Sequence, residues 1–230
     1  MLQISELEYA YGEKPVLRGL DLEVAAGEIH GILGQNGAGK TTLFRLLAGW
    51  LKPQSGTIRW QGQGLAKQQT AFLETDPYFY PYLRGIEYLR LIRDDAIRIE
   101  QWSQIFDLPL DELAEEYSTG MQKKLAFLGV LLQERPLLIL DEPFNGVDFA
   151  GNEVMMAVIR RSGLLKGATL ISSHVLQTLT HVCDRISVLK DGAIAHVVER
   201  VDFPALEAHI RAETTGHLDQ LFEGWNDTAG

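Results

Sequence analysis

The segment Gly34-Gln35-Asn36-Gly37-Ala38-Gly39-Lys40-Thr41 constrains this chain more than any other stretch. It has the form G-x-x-x-x-G-K-[ST]. It follows an apolar run, 28–34, that reads as a strand, and it opens an apolar-periodic segment, about 39–49, that reads as a helix. Glycines let the backbone curl there so that successive N–H groups point inward as an anion nest. The start of the helix adds its dipole. Lys40 would bring a positive charge to the β- and γ-phosphates of a nucleotide, and Thr41 a hydroxyl to Mg²⁺. The competing reading is a glycine-rich turn with an incidental lysine. At ordinary composition the four fixed positions coincide in roughly one chain in a hundred of this size.

Leu137 to Leu140 (LLIL) is a continuous apolar run, the pattern of a strand buried on both faces, and Asp141 and Glu142 follow it directly. Ligands of open parallel sheets bind at the carboxyl ends of strands. One carboxylate there can hold Mg²⁺, directly or through water, while the next polarises an attacking water, and hydrolysis of a phosphoanhydride needs both tasks. A solvated turn would carry the same two residues without chemistry.

Composition excludes several classes. The chain has 230 residues, 46% of them hydrophobic and 23% charged, as in ordinary globular proteins. A net charge of −10 disfavours general binding to phosphate backbones, so no nucleic acid is expected as a partner. The single cysteine, Cys183, can form neither an internal disulfide nor a thiolate zinc site, and is expected to be buried packing. The opening residues lack a basic region followed by an apolar run, so no signal peptide is expected. No apolar stretch reaches the roughly 18–20 residues that span a bilayer.

Strand patterns at 2–9, 20–24, 28–34 and 57–60 are followed, over about 77–135, by helical periodicity. Strand signals return at 137–140, 168–173, 185–190 and 193–199, separated by helices at about 151–162 and 175–182. Alternating strands and helices imply an α/β fold with a mostly parallel sheet. The last thirty residues read as one or two amphipathic helices with a polar end.

Together these motifs resemble the ATP-binding cassette (ABC) family, the nucleotide-binding subunits of ABC transporters, over about residues 1–200. GQNGAGKTT (34–42, ending at Thr42) resembles its Walker A motif and LLILDEP (137–143) its Walker B, with Glu142 as the catalytic glutamate. NGVD (145–148) resembles the D-loop, ending at Asp148, and SSH (172–174) the switch motif, with His174. Tyr11, in YAYG, occupies the place of the aromatic that stacks on adenine. The signature L-S-G-G-Q is represented by Tyr117-Ser118-Thr119-Gly120-Met121, in which Ser118 and Gly120 match and the first glycine and the glutamine do not. It resembles the Y-S-x-G-M variant of exporter cassettes. At the position of the family's Q-loop glutamine stands Thr75, with Glu74 beside it. The stretch Tyr78, Phe79, Tyr80 and Tyr82 lies where the family receives a coupling helix from the membrane subunit, and suits either that interface or packing between core and insert.

The resemblance implies a P-loop NTPase (RecA-like) fold, a mostly parallel sheet with an antiparallel β portion and a helical subdomain. It implies an ATPase domain over 1–200, with core 1–76 and 136–200 and helical subdomain 77–135, and a short extension over 201–230. It also implies ATP and Mg²⁺ as cofactors, with Thr41 and Asp141 on the metal and Thr75 or Glu74 as a further candidate. Residues 34–42 would cradle the phosphates, Glu142 and His174 would align water, and Ser118 and Gly120 would close over the nucleotide of a second cassette, identical or not. A separate membrane permease would receive the motion, which places the chain in the cytoplasm on the inner face of the membrane. A soluble ABC-type ATPase, acting as a regulatory switch or on nucleic acid or ribosomes, is the alternative. The exporter-type signature favours export of a substrate that the sequence does not name.

Overall fold

The computed structural model describes residues 1–162 and 167–212. The amino-terminal part forms strands β1 (Leu2–Tyr11), β2 (Lys14–Val24) and β3 (Ile29–Leu33) and helix α1 (Lys40–Leu47), then β4 (Ser55–Trp60), β5 (Gln63–Gly64) and β6 (Thr70–Leu73). Helices α2 (Gly85–Ile92), α3 (Ala96–Ser103) and α4 (Thr119–Leu132) follow. The chain then alternates β7 (Leu137–Asp141), α5 (Phe149–Ser162), β8 (Ala168–Ser173), α6 (Leu176–Val182), β9 (Arg185–Lys190) and β10 (Ala193–Glu199). Helix α7 covers 203–212. The expected extension beyond residue 212 lies outside the described residues.

Two sheets result. An antiparallel sheet runs β2-β1-β4-β5, and a six-stranded sheet runs β10-β9-β3-β8-β7-β6. In the latter, β9, β3, β8, β7 and β6 are parallel and β10 is antiparallel at the edge. The central strands β3, β7 and β8 are buried along their whole length, which is why they read as continuous apolar runs. β6 has no clear sequence signal, because four residues, TAFL, carry too short a period to separate from a loop. β2 is longer than its apolar end suggested: its first half alternates weakly, and pairing with β1 extends it to Lys14.

Alternating residues of the central strands divide between two cores. Leu138 and Leu140 join a cluster with residues of α2, α4, α5 and α6, whereas Leu137 and Ile139 join one with α1 and the antiparallel sheet. The helical region 85–132 therefore shares its core with one face of the parallel sheet. Because β3, β8, β7 and β6 are parallel neighbours, their carboxyl ends lie along one edge. The segments that follow them, 34–39, 174, 141–142 and 74–75, are gathered there.

A buried polar network ties β3 to β9. His30 is fully buried; its Nδ1 lies 2.6 Å from Glu28 Oε1 and its Nε2 2.7 Å from Ser187 Oγ. Glu28 also accepts the Ala25 N–H at 2.7 Å. Burial alone would raise the Glu28 pKa, but the hydrogen bonds from His30 and Ala25 and the charges of His30 and Arg185 outweigh it and hold the carboxyl below its ordinary value. A depressed carboxyl pKa stabilises the fold above the unfolded value of about 4.3 and loses that contribution as pH falls through the lower folded-state value. In urea titrations, Glu28→Gln is expected to be less stable than wild type at pH 7, with the gap shrinking below about pH 4. A gap that is constant down to pH 3 refutes this account.

Candidate functional site

The glycine-rich loop leaves β3 and enters α1 through Gly39, whose backbone is left-handed (φ 110°, ψ 5°). A Cβ at Gly39 would sit 2.9 Å from Leu17 Cδ2, so both conformation and space demand glycine. Gln35, Asn36 and Gly37 are exposed at the loop's tip, with Ala38 half-buried, while Gly34, Gly39, Lys40 and Thr42 are buried. Lys40 Nζ donates to the Gly34 carbonyl at 2.7 Å and the Gln35 carbonyl at 3.4 Å, and lies 3.4 Å from Glu142 Oε1. The ammonium thus stands inside the curl of the loop, where a phosphate chain would meet it.

Asp141, at the end of β7, is fully buried. Three hydroxyls donate to it: Thr41 Oγ1 at 2.7 Å and Thr75 Oγ1 at 2.9 Å to Oδ2, and Ser172 Oγ at 2.5 Å to Oδ1. Carboxylate and hydroxyl oxygens at such distances are the hard donors that Mg²⁺ prefers, with phosphate oxygens and water completing its shell. Among the described residues, no group of three or more His, Cys, Asp or Glu could hold a metal ion. The two Q-loop candidates separate here. Thr75 joins the Asp141 cluster, whereas the Glu74 carboxylate lies 3.6 Å from Arg45 Nη2, on the half-exposed side of the strand end.

Glu142 is buried and adopts a left-handed backbone, φ 46°. Such a conformation in a residue with a Cβ costs about 1–3 kcal/mol and persists where surrounding structure imposes it. Its N–H donates to Ser172 Oγ at 2.9 Å. His174 Nδ1 lies 3.1 Å from both carboxylate oxygens. Lys40, Glu142 and His174 are thereby one contiguous group, with the imidazole half-exposed at its mouth. A carboxylate oriented by an imidazole beside a buried ammonium can accept a proton from water next to a phosphate.

At the start of α4, the exposed Ser118 caps the helix, its Oγ accepting the Met121 N–H at 3.3 Å. A Cβ at Gly120 would stand 2.8 Å from the Gly146 carbonyl, so a glycine there lets α4 approach the 145–148 loop. Asp148 is exposed; its Oδ1 accepts the Gly151 N–H at 2.9 Å and lies 3.0 Å from Lys124 Nζ. That lysine's hydrogen bond, with the Gly151 N–H, holds the Asp148 carboxyl below its ordinary pKa. Tyr11 ends β1, exposed, its ring edge-on to Tyr9 at 5.0 Å. The aromatic stretch divides: Phe79 is buried against Tyr88 at 4.8 Å, while Tyr78, Tyr80 and Tyr82 are 70%, 67% and 82% exposed.

Sequence reasoning missed two residues of this site. Ser172, within the apolar β8 run, bridges Asp141 and the Glu142 backbone, a role that only strand pairing reveals. Lys123 is 1% exposed, and its Nζ donates to the Thr75 carbonyl and, at 3.4 Å, to the Glu74 carbonyl. A lysine on a helix ordinarily signals a solvated face, so nothing in the sequence marked it. Cys183 is buried as expected, and burial pushes its thiol pKa up.

Known proteins resemble this chain in sequence and fold. Residues 17–145 match the family described as ABC transporter. The cobalt import ATP-binding protein CbiO of Salmonella paratyphi A is 33% identical over 218 residues, covering 84% of this chain and 79% of that protein. The bacitracin transport ATP-binding protein BcrA of Enterococcus faecalis is 31% identical over 229 residues, covering 93% and 73%. A solved structure of an ATP-binding subunit of an ABC transporter superposes with a TM-score of 0.80 at 26% identity, covering 96% of this chain and 98% of that one. The chain belongs to the ABC transporter family and is one of its ATP-binding, ATP-hydrolysing subunits.

Proposed function

We propose that this subunit drives transport through a separate membrane permease by a magnesium-dependent ATP hydrolysis cycle, with residues 1–200 as the working domain and 77–135 as its helical part. The observation that carries it is the convergence of two groups on one sheet edge, Lys40–Glu142–His174 and Asp141 with the Thr41 and Thr75 hydroxyls. Tyr11 stacks on adenine, and the backbone of 34–42 cradles the phosphates. Lys40 leaves its loop carbonyls for the β- and γ-phosphates. Asp141, Thr41 and Thr75 would hold Mg²⁺ through their oxygens, and the ion would supply neutralisation of charge on the phosphates. Glu142, oriented by His174, takes a proton from the attacking water.

The resemblance supports a dimer in which Ser118 and Gly120 contact the partner's nucleotide and Asp148 lies between the halves. ATP then favours the closed dimer, because only that state gives the γ-phosphate both sets of contacts, and hydrolysis removes the difference. The exposed Tyr78, Tyr80 and Tyr82 suit a permease contact. Among the described residues no helix is long and apolar enough to cross a membrane, in keeping with a subunit that docks on one. Export is supported by the Tyr117–Met121 pattern; the cobalt-import relative supports import as the second reading.

Glu142→Gln is expected to keep ATP affinity, slow turnover at least about a hundredfold and trap an ATP-bound dimer, since it removes the proton acceptor. Phosphate-release kinetics and gel filtration check this, and unchanged turnover refutes the role. Lys40→Ala is expected to weaken nucleotide binding by roughly tenfold or more, through loss of a charge-assisted contact; equal affinity by calorimetry removes the phosphate-loop assignment. Tyr80→Ser with Tyr82→Ser is expected to leave nucleotide affinity unchanged and abolish co-purification with the permease from detergent extract. Retained co-purification places the contact elsewhere.

A further inference from the structure

A buried lysine is costly unless its ammonium is well partnered, because desolvation penalises the charge. Lys123, on the second turn of α4, is 1% exposed and directed beneath the segment that follows β6. Its Nζ donates to the main-chain carbonyls of Glu74 and Thr75. Burial pulls its pKa below the ordinary lysine value, and the nearby carboxylates of Asp76, Asp141 and Glu142 oppose that pull. Two kinds of partner are therefore present, carbonyl dipoles in contact and carboxylates in the surroundings.

The carbonyl it grips belongs to the residue whose side chain matters. Thr75 presents its backbone oxygen to Lys123 and its Oγ1 to Asp141 Oδ2, 2.9 Å away. A threonine side chain is short and stiff at χ1, so where its hydroxyl stands is decided by where its backbone is held. With one rotatable bond before its hydroxyl, Thr75 has little reach of its own to make up for a displaced backbone. Lys123 itself is too deeply buried to touch a nucleotide in this conformation. Its helix is the one that Ser118 caps.

We propose that Lys123 is a positioning residue, whose ammonium clamps the Glu74–Thr75 backbone and so keeps the Thr75 hydroxyl on Asp141 at the magnesium site. The clamp rests on the metal reading given above, and deepens it. Residues that orient metal-binding groups typically change metal affinity or activity by about 10–100-fold when lost. A residue that merely fills the core weakens binding with and without metal alike.

The test is calorimetric binding of the β,γ-imido analogue of ATP to the full chain, once with Mg²⁺ and once in EDTA. The ratio of the two affinities is the magnesium advantage. Lys123→Met, which keeps the apolar stem, and Thr75→Val are each expected to cut that advantage by roughly tenfold, with the EDTA affinity within about twofold of wild type. Lys123→Gln, which retains donors, loses less, and Thr75→Ser keeps the advantage. The double variant Lys123→Met with Thr75→Val is no worse than the worse single one, because both act through one hydroxyl. An unchanged advantage in Lys123→Met overturns the clamp, as do equal losses in Mg²⁺ and EDTA or losses that multiply in the double variant. Should Lys123→Met fail to fold, Lys123→Gln decides by the same criteria. Asp141→Asn separates the two claims. If it removes the advantage while the Lys123 variants do not, only the clamp fails; if it too leaves the advantage intact, the metal reading fails and takes the clamp with it.

Discussion

The buried carboxylate of Asp141 is the point on which the site is assembled. It takes hydroxyls from Thr41 on α1, Thr75 after β6 and Ser172 on β8. These segments are far apart in the chain and are brought together because β3, β8, β7 and β6 pair in parallel register. A carboxylate withdrawn from water must be hydrogen-bonded or it becomes a liability, so the requirement that makes Asp141 tolerable also gathers three hydroxyls at one point. Ser172 extends the arrangement to the neighbouring residue by holding the Glu142 N–H.

The cationic side has the same logic. Lys40 and Lys123 are both buried, and both are held by backbone carbonyls, those of Gly34 and Gln35 for the first and of Glu74 and Thr75 for the second. Lys40 sits inside a curl of exposed loop and next to Glu142, where its partners can be exchanged for phosphate oxygens. Lys123 lies beneath the chain, where they cannot. The two lysines therefore differ in where they are held, one inside an exposed loop and one beneath the chain, and not in residue type.

Motifs whose chemistry is local were legible in the sequence. Gly39, Lys40 and Thr41 sit on a single strand–turn–helix unit, and Asp141 and Glu142 end a single strand, so neither reading needed to know what packs nearby. Ser118 as a helix cap was legible for the same reason. The choice between Thr75 and Glu74 was not, because both are polar, adjacent and follow an unremarked short strand. Pairing of β6 with β7 turns Thr75 towards Asp141, and Arg45 on α1 draws Glu74 aside. The aromatic stretch was equally undecided, and packing separated Phe79 from its three exposed neighbours.

By itself the amino-acid order determined the alternation of strands and helices, the glycine-rich turn between strand and helix and the acidic strand end, since period, glycine placement and charge act within a few residues. Only the tertiary structure decided which side chains share the Asp141 oxygens, which lysine is withdrawn from solvent, and that the helical region packs on one face of the parallel sheet instead of forming a core of its own. Those outcomes follow from strand order and from the burial of charge, and both depend on contacts between residues that sequence distance does not relate.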